Sequence, residues 1–86
     1  METKNWTIDI QITEDDTDSN TLARAVLTSP DGKRHESVGL ARRNPSDRPV
    51  PQIGDELAAG RALMDLADKL IGEAAEDVAQ FSGTAH

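Results

Sequence analysis

Between Asp55 and Phe81 the apolar and polar residues sort onto two sides of a helix, and no other feature of the chain restricts its fold as much. At about 100° per residue, Gly60, Ala67 and Ala74 form the centre line of an apolar arc. Leu63, Leu70 and Phe81 flank that line on one side, Met64, Ile71 and Val78 on the other, with Leu57 and Leu66 at the edges. Arg61, Asp65, Asp68, Lys69, Gly72, Glu73, Glu76 and Gln80 fall opposite. Such a segment predicts an amphipathic helix over 55–81, about 40 Å long, whose stripe needs a second layer beneath it. Asp55 and Glu56 suit the positive N-terminal end, and Gly83 supplies a stop. Gly72 costs about 1 kcal/mol in helix propensity but lies on the polar side. Gly60, Ala67 and Ala74 would let the helix backbone approach its neighbour closely.

The layer beneath is a sheet. Trp6, Ile8, Ile10 and Ile12 alternate with Thr7, Asp9 and Gln11, the period of a strand (about 5–12) with one buried face. Thr13 to Asn20 is polar and acidic and reads as a loop that keeps an edge strand from aggregating. Strands over 21–28 and 33–42 are joined by Ser29-Pro30-Asp31-Gly32, where Pro presets the backbone and Gly takes the left-handed position. Antiparallel pairing across that turn sets Ala23 by Gly39, Ala25 by Ser37 and Leu27 by His35. One hairpin face then carries Ala23, Ala25, Leu27, Ser37, Gly39 and Ala41, with His35 near the turn. The other carries Leu22, Arg24, Val26, Arg34, Glu36, Val38, Leu40 and Arg42. Burying unpaired charges costs several kcal/mol, so the small-residue face is assigned to the core. Pro45, Pro49 and Pro51 make 43–54 an irregular crossover. The expected fold is α+β: a three-stranded antiparallel sheet (β-β-β-α) packed on one long C-terminal amphipathic helix, with a frayed tail over 82–86, in a single domain over 1–86.

Several features point to a homodimer. The outer sheet face leaves Leu22, Val26, Val38 and Leu40 uncovered. The helix also overhangs strands of only about 25 Å, so its last turns, near Val78 and Phe81, need another cover. A second copy is the simplest one.

The 86 residues contain no cysteine, and the formal net charge is −7. There is no apolar leader and no membrane-length apolar run, so a cytoplasmic location with no membrane partner is expected. The acidic balance argues against DNA and against non-specific binding of nucleic acid. The charge is uneven, however. Lys33, Arg34, Arg42, Arg43 and Arg48 face only Glu36 and Asp47 within 33–48, whereas the helix segment is acidic. This is either a solvated mixed surface or a patch for phosphate or carboxylate groups, in RNA or in a protein partner.

Catalytic signals are thin. His35 and Ser37 share a strand face with Asp31 and Asp47 nearby in sequence, but no nucleophile elbow or oxyanion loop accompanies them. His86 is the other histidine, so no metal cage of His and Cys can form. Glu14-Asp15-Asp16-Thr17-Asp18 lacks the central Gly and terminal Glu of a calcium loop. The helix carboxylates Asp65, Asp68, Glu73, Glu76 and Asp77 sit on the exposed side, and there is no glycine-rich phosphate loop. No catalytic residue, metal or cofactor is expected.

The segment from Val38 to Ala67, with Arg42-Arg43-Asn44-Pro45 and Pro51-Gln52-Ile53-Gly54-Asp55-Glu56-Leu57 at its heart, together with the Trp6-Thr7-Ile8-Asp9-Ile10 start, resembles a family of small actinobacterial proteins grouped as a domain of unknown function. The resemblance covers nearly the whole chain. It implies a β-β-β-α fold related to double-stranded-RNA-binding-like domains, a shape similar to ribosome hibernation factors, and a tendency to dimerise. It carries over no catalytic residue. The expected function is a non-enzymatic, homodimeric interaction protein, a stress or dormancy factor acting on ribosomes or RNA through Lys33, Arg34, Arg42, Arg43 and Arg48. The alternative is a protein-protein adaptor that uses Leu22, Val26, Val38 and Leu40.

Overall fold

The computed structural model describes residues 1–15, 19–44 and 46–83, the side chains of 82 and 83 excepted. Strands β1 (Thr7–Asp15), β2 (Asn20–Thr28) and β3 (Arg34–Arg42) form one antiparallel sheet in the order β1-β2-β3, followed by helix α1 (Pro51–Gly83). The acidic run expected to be a loop begins inside β1, which extends through Asp15; residues 16–18 of that run lie outside the described residues. The β2–β3 register matches the sequence expectation, with Ala23 opposite Gly39, Ala25 opposite Ser37 and Leu27 opposite His35. The turn between them is closed by Gly32 N–H to Ser29 O (2.9 Å) and Ser29 N–H to Lys33 O (3.0 Å). Gly32 sits at φ 89°, which a side chain would resist.

The helix has 33 residues and starts earlier than its apolar periodicity suggests. Pro51 occupies the first helical position, where its missing N–H costs nothing, so the crossover ends before it and Asp55 and Glu56 fall in the second turn. At about 50 Å the helix outruns strands of about 30 Å, which accounts for a long axis of 59 Å.

The small-residue hairpin face is the core face, as expected. Ala23, Ala25, Leu27, Ser37 and Ala41 are buried, while Leu22, Arg24, Val38 and Leu40 on the other face are exposed and Val26 is half-buried. The helix, however, is turned by about 140° from the expected orientation. It lies over β3 and β2 and meets them with Ala58, Ala62 and Leu66, while Ala67 and Ala74, expected at the contact, face outward. The close approach is made by Gly39, not Gly60: a Cβ on Gly39 would collide with the Ala58 carbonyl oxygen and the Ala62 nitrogen, whereas one on Gly60 would meet nothing within 4 Å.

Contact at the polar border of the helix has a physical cause. Where α1 crosses it, the inner sheet face is mostly small, with Ala23, Ala25, Ser37, Gly39 and Ala41, so small helix residues can seat closely against it. Ala58 and Ala62 are those residues. The polar side chains beside them then reach main-chain acceptors and a histidine on the sheet: Arg61 Nη1 donates to Leu40 O (2.7 Å), Lys69 Nζ to Glu36 O (2.8 Å), and His35 Nε2 to Glu73. Ser37 Oγ donates to Ala62 O at 2.7 Å inside the contact.

Candidate interaction surfaces

The consequence of that rotation is a long apolar surface with no cover of its own. The buried cluster among the described residues is Ala23, Ala25, Leu27, Ala41, Ala58, Ala62 and Leu66, and Leu66 is its largest fully buried side chain. Meanwhile Met64 is 71% exposed, Ile71 68% and Val78 65%, in a row down the outward side of α1. Beside them β1 is less covered than its alternation suggests: Trp6, Ile8 and Ile12 are exposed, and only Ile10 joins Ala59 and Leu70 against the core, because α1 barely reaches this edge strand. Leu63, exposed on the helix flank, continues the apolar surface from Leu70 towards the outward row. Among the described residues, more large apolar side chains are exposed than buried. A row of exposed large apolar side chains is the strongest candidate interaction surface of the described residues.

The outer sheet face is a weaker candidate. Its Leu22, Val38 and Leu40 are exposed, but they share the face with an Arg24–Glu36 ion pair (2.9 Å) and an Arg34–Glu36 contact (3.6 Å). The hydrogen bond and charge of Arg24 hold the Glu36 carboxyl below its ordinary value. This is a mixed surface, not an apolar one.

The basic residues do not converge. Lys33 and Arg34 stand at the turn end of β3, and Arg42, Arg43 and Arg48 at the other end, roughly 25–30 Å away along the strand. Lys33 reaches Glu73 at 3.5 Å and Arg34 reaches Glu36, so both are partly neutralised. Arg43 is structural: it donates to Ser19 Oγ (3.0 Å) and Asp47 O (2.6 Å), tying the start of β2 to the crossover. Arg42 Nε donates to Asn20 Oδ1 at 3.2 Å. Arg48 makes no hydrogen bond or ion pair among the described residues, and with Arg42 and Arg43 it lines an open cleft of about 640 Å³ that Glu14, Asp15 and Asp47 also line. The basic residues thus stand as two separate clusters at opposite ends of β3, as their strand positions imply, and the arginine-rich one is edged with acids.

His35 and Ser37 serve the helix contact. Ser37 Oγ is spent on Ala62 O, and His35 Nε2 donates to Glu73, while His35 Nδ1 and Asp55 Oδ1 are buried without a hydrogen-bond partner among the described residues. The hydrogen bond from His35, more than the charge of Lys33, holds the Glu73 carboxyl below its ordinary value. In the turn, the hydroxyl of Ser29 does the same for Asp31. Among the described residues, no group of three or more His, Cys, Asp and Glu side chains is placed to hold a metal ion, and no helix is long and apolar enough to cross a membrane.

A profile of the family described as Rv2632c-like matches residues 4–86. The chain belongs to that family. It is 47% identical over 75 residues to the uncharacterised protein Rv2632c of Mycobacterium tuberculosis, covering 87% of this chain and 77% of that protein. It is 44% identical over the same length to the uncharacterised protein Mb1767 of Mycobacterium bovis. The crystal structure of Rv2632c matches this fold with a TM-score of 0.80 at 46% identity, over 91% of this chain and 89% of that one. These relatives place the β-β-β-α architecture in an uncharacterised mycobacterial family and assign no activity to it.

Of the outward helix row, the sequence singles out Val78, with Phe81 beyond it, as needing cover, and assigns Met64 and Ile71 to the arc packed on the sheet. The arc itself was visible in the periodicity. What separates its two sides is residue size: Ala58 and Ala62, four apart and beside Leu66, make the face that seats on the small residues of the sheet.

Proposed function

We propose that this protein is a non-enzymatic, homodimeric interaction protein of the cytoplasm. The observation that carries the reading is the row of large apolar side chains on the outward face of α1, with Met64, Ile71 and Val78 each about two-thirds exposed in the single chain. Among the described residues the core is five alanines and two leucines, which stabilise a chain of this size only weakly, and covering the row adds what the core lacks. Sedimentation velocity of the full chain at micromolar concentration should return twice the chain mass. Met64→Asp combined with Ile71→Asp should return the monomer with its helical circular dichroism intact. A wild-type chain that sediments as a monomer overturns the reading.

Association with ribosomes or RNA, implied by the resemblance to hibernation factors, draws on the arginine cleft, where Arg48 is uncommitted among the described residues. Co-sedimentation with ribosomes at low and moderate salt, lost on Arg48→Ala together with Arg42→Ala, would support it. Binding that ignores both substitutions would leave the protein-protein reading alone.

A further inference from the structure

Resting on that dimeric reading, we propose that two copies pair antiparallel along α1 in one specific register, with the two-fold axis crossing the helix between Asp65 and Leu66.

The outward row has a strict spacing. Gly60, Ala67 and Ala74 recur every seven residues, and Leu57, Met64, Ile71 and Val78 recur every seven, each of the first three standing three residues before one of the small ones. Steps of four and three sustained from Leu57 to Val78 are the pattern of a coiled-coil seam. The sheet contact at Ala58, Ala62 and Leu66 occupies the opposite side of the helix, so a seam here meets no steric obstacle from the sheet.

The seam is large at one heptad position and small at the other, and this decides the direction of pairing. In a parallel pair each residue meets its own copy, so three layers would hold only Gly60, Ala67 or Ala74 against themselves and leave voids between the layers of Met64 and Ile71. In an antiparallel pair a large position meets a small one. Centred between Asp65 and Leu66, the layers become Leu57 with Ala74, Gly60 with Ile71, and Met64 with Ala67, each made twice by symmetry. Every central layer then holds one large and one small side chain. This self-complementarity under reversal is what an isologous interface requires, and it marks a second copy of the chain as the occupant.

The flanking positions choose among antiparallel registers. In this one Arg61 faces Asp68 of the second copy on one flank, and Leu63 faces Leu70 on the other. A shift of one heptad in one direction sets Asp68 against Asp68. A shift in the other sets Arg61 against Arg61. The chosen register does bring Glu56 near Asp77, at the outer ends where water screens them. The result is a four-layer assembly, sheet, helix, helix, sheet, in which the overhanging last turns of each α1 lie on the first turns of its twin.

The chain has no cysteine, so disulfide trapping reads the register directly. Leu57→Cys with Ala74→Cys in one chain should oxidise to a covalent dimer under a glutathione redox buffer. Each single variant should stay unlinked, since like positions lie about 25 Å apart in this arrangement, as do positions 57 and 74 within one helix. Both sites are exposed in the single chain, and circular dichroism checks that the fold survives. Self-linking of either single variant means a parallel pair and overturns the proposal. A chain that sediments as a dimer while the double variant fails to link overturns the register but leaves the dimer standing. A chain that sediments as a monomer removes both.

Discussion

Gly39→Ala should destabilise this protein, against the ordinary preference of a strand for alanine over glycine. In an unobstructed strand the exchange gains roughly 0.5–1 kcal/mol. Here the added methyl would lie well inside contact distance of the Ala58 carbonyl oxygen and the Ala62 nitrogen, with the Arg61 carbonyl carbon at 3.0 Å. All three are backbone atoms of a packed helix, so no side chain can swing aside and the helix must lift. Lifting it loosens the seating of Ala58 and Ala62 on the sheet and stretches the Ser37–Ala62 hydrogen bond. Overpacking costs about 1–3 kcal/mol and a weakened internal hydrogen bond about 0.5–1.5 kcal/mol. Against the strand gain, the net loss spans about 0.5–4 kcal/mol with a centre of about 2 kcal/mol, which is roughly 8–16 °C in melting midpoint for a domain of this length. Thermal melts followed by circular dichroism at one fixed protein concentration measure it, since Trp6 is exposed and a poor reporter. Gly72→Ala is the control, because a Cβ there meets nothing within 4 Å and helix propensity should raise stability by up to about 1 kcal/mol. A Gly39→Ala midpoint equal to or above wild type would refute the close-approach account of the sheet–helix contact.

Ile71→Asp should leave the folded single chain intact while raising the dimer dissociation constant at least thirtyfold, because burying the two isoleucines contributes about 2–4 kcal/mol; analytical ultracentrifugation reads it. Asp77→Lys should tighten the dimer several-fold at low salt, with the gain shrinking as salt is added, because it turns the Glu56 contact from repulsive to attractive. The Glu73 carboxyl is held below its ordinary value of 4.5 by His35 and Lys33, so its contribution is complete above that value and is lost as pH falls through the lower, folded one. Acid titrations of wild type and Glu73→Gln, with Lys33 and His35 unchanged, should therefore differ in stability at neutral pH and converge in acid.

Local rules made most of the fold legible. The turn from Ser29 to Gly32 sets the β2–β3 register, and the cost of burying Arg24, Arg34, Glu36 and Arg42 selects the hairpin face that packs. The start of the helix was not legible from apolar periodicity, since Pro51 to Gly54 carry little of it, yet proline at the first helical position is itself a start signal. The packed face of the helix was misjudged because a hydrophobic arc reports which side avoids water without saying what it meets. Two layers compete for this helix. The sheet needs a backbone-close partner, and the arc offers Met64, Leu63 and Ile71, which would hold the helix off. The interaction surfaces were partly legible: the excess of basic residues over 33–48 is real, but nine residues of extended strand carry its two ends apart.

The two faces of α1 do different physical work, and this links folding to association. Against the sheet, alanine and glycine allow contact close enough for Ser37, Arg61 and Lys69 to bond helix or strand carbonyls, so shape and hydrogen bonds define the geometry while little apolar area is covered. On the outer side, large residues carry most of the apolar area of the helix and make no comparable polar contacts. A single chain is thus well specified but weakly stabilised, and the apolar area that would make it robust lies exposed on the outer face, open to a second surface. If that surface is a twin, stability becomes a function of concentration, and substitutions on the outer face change how much of the protein is assembled without changing what each chain folds into.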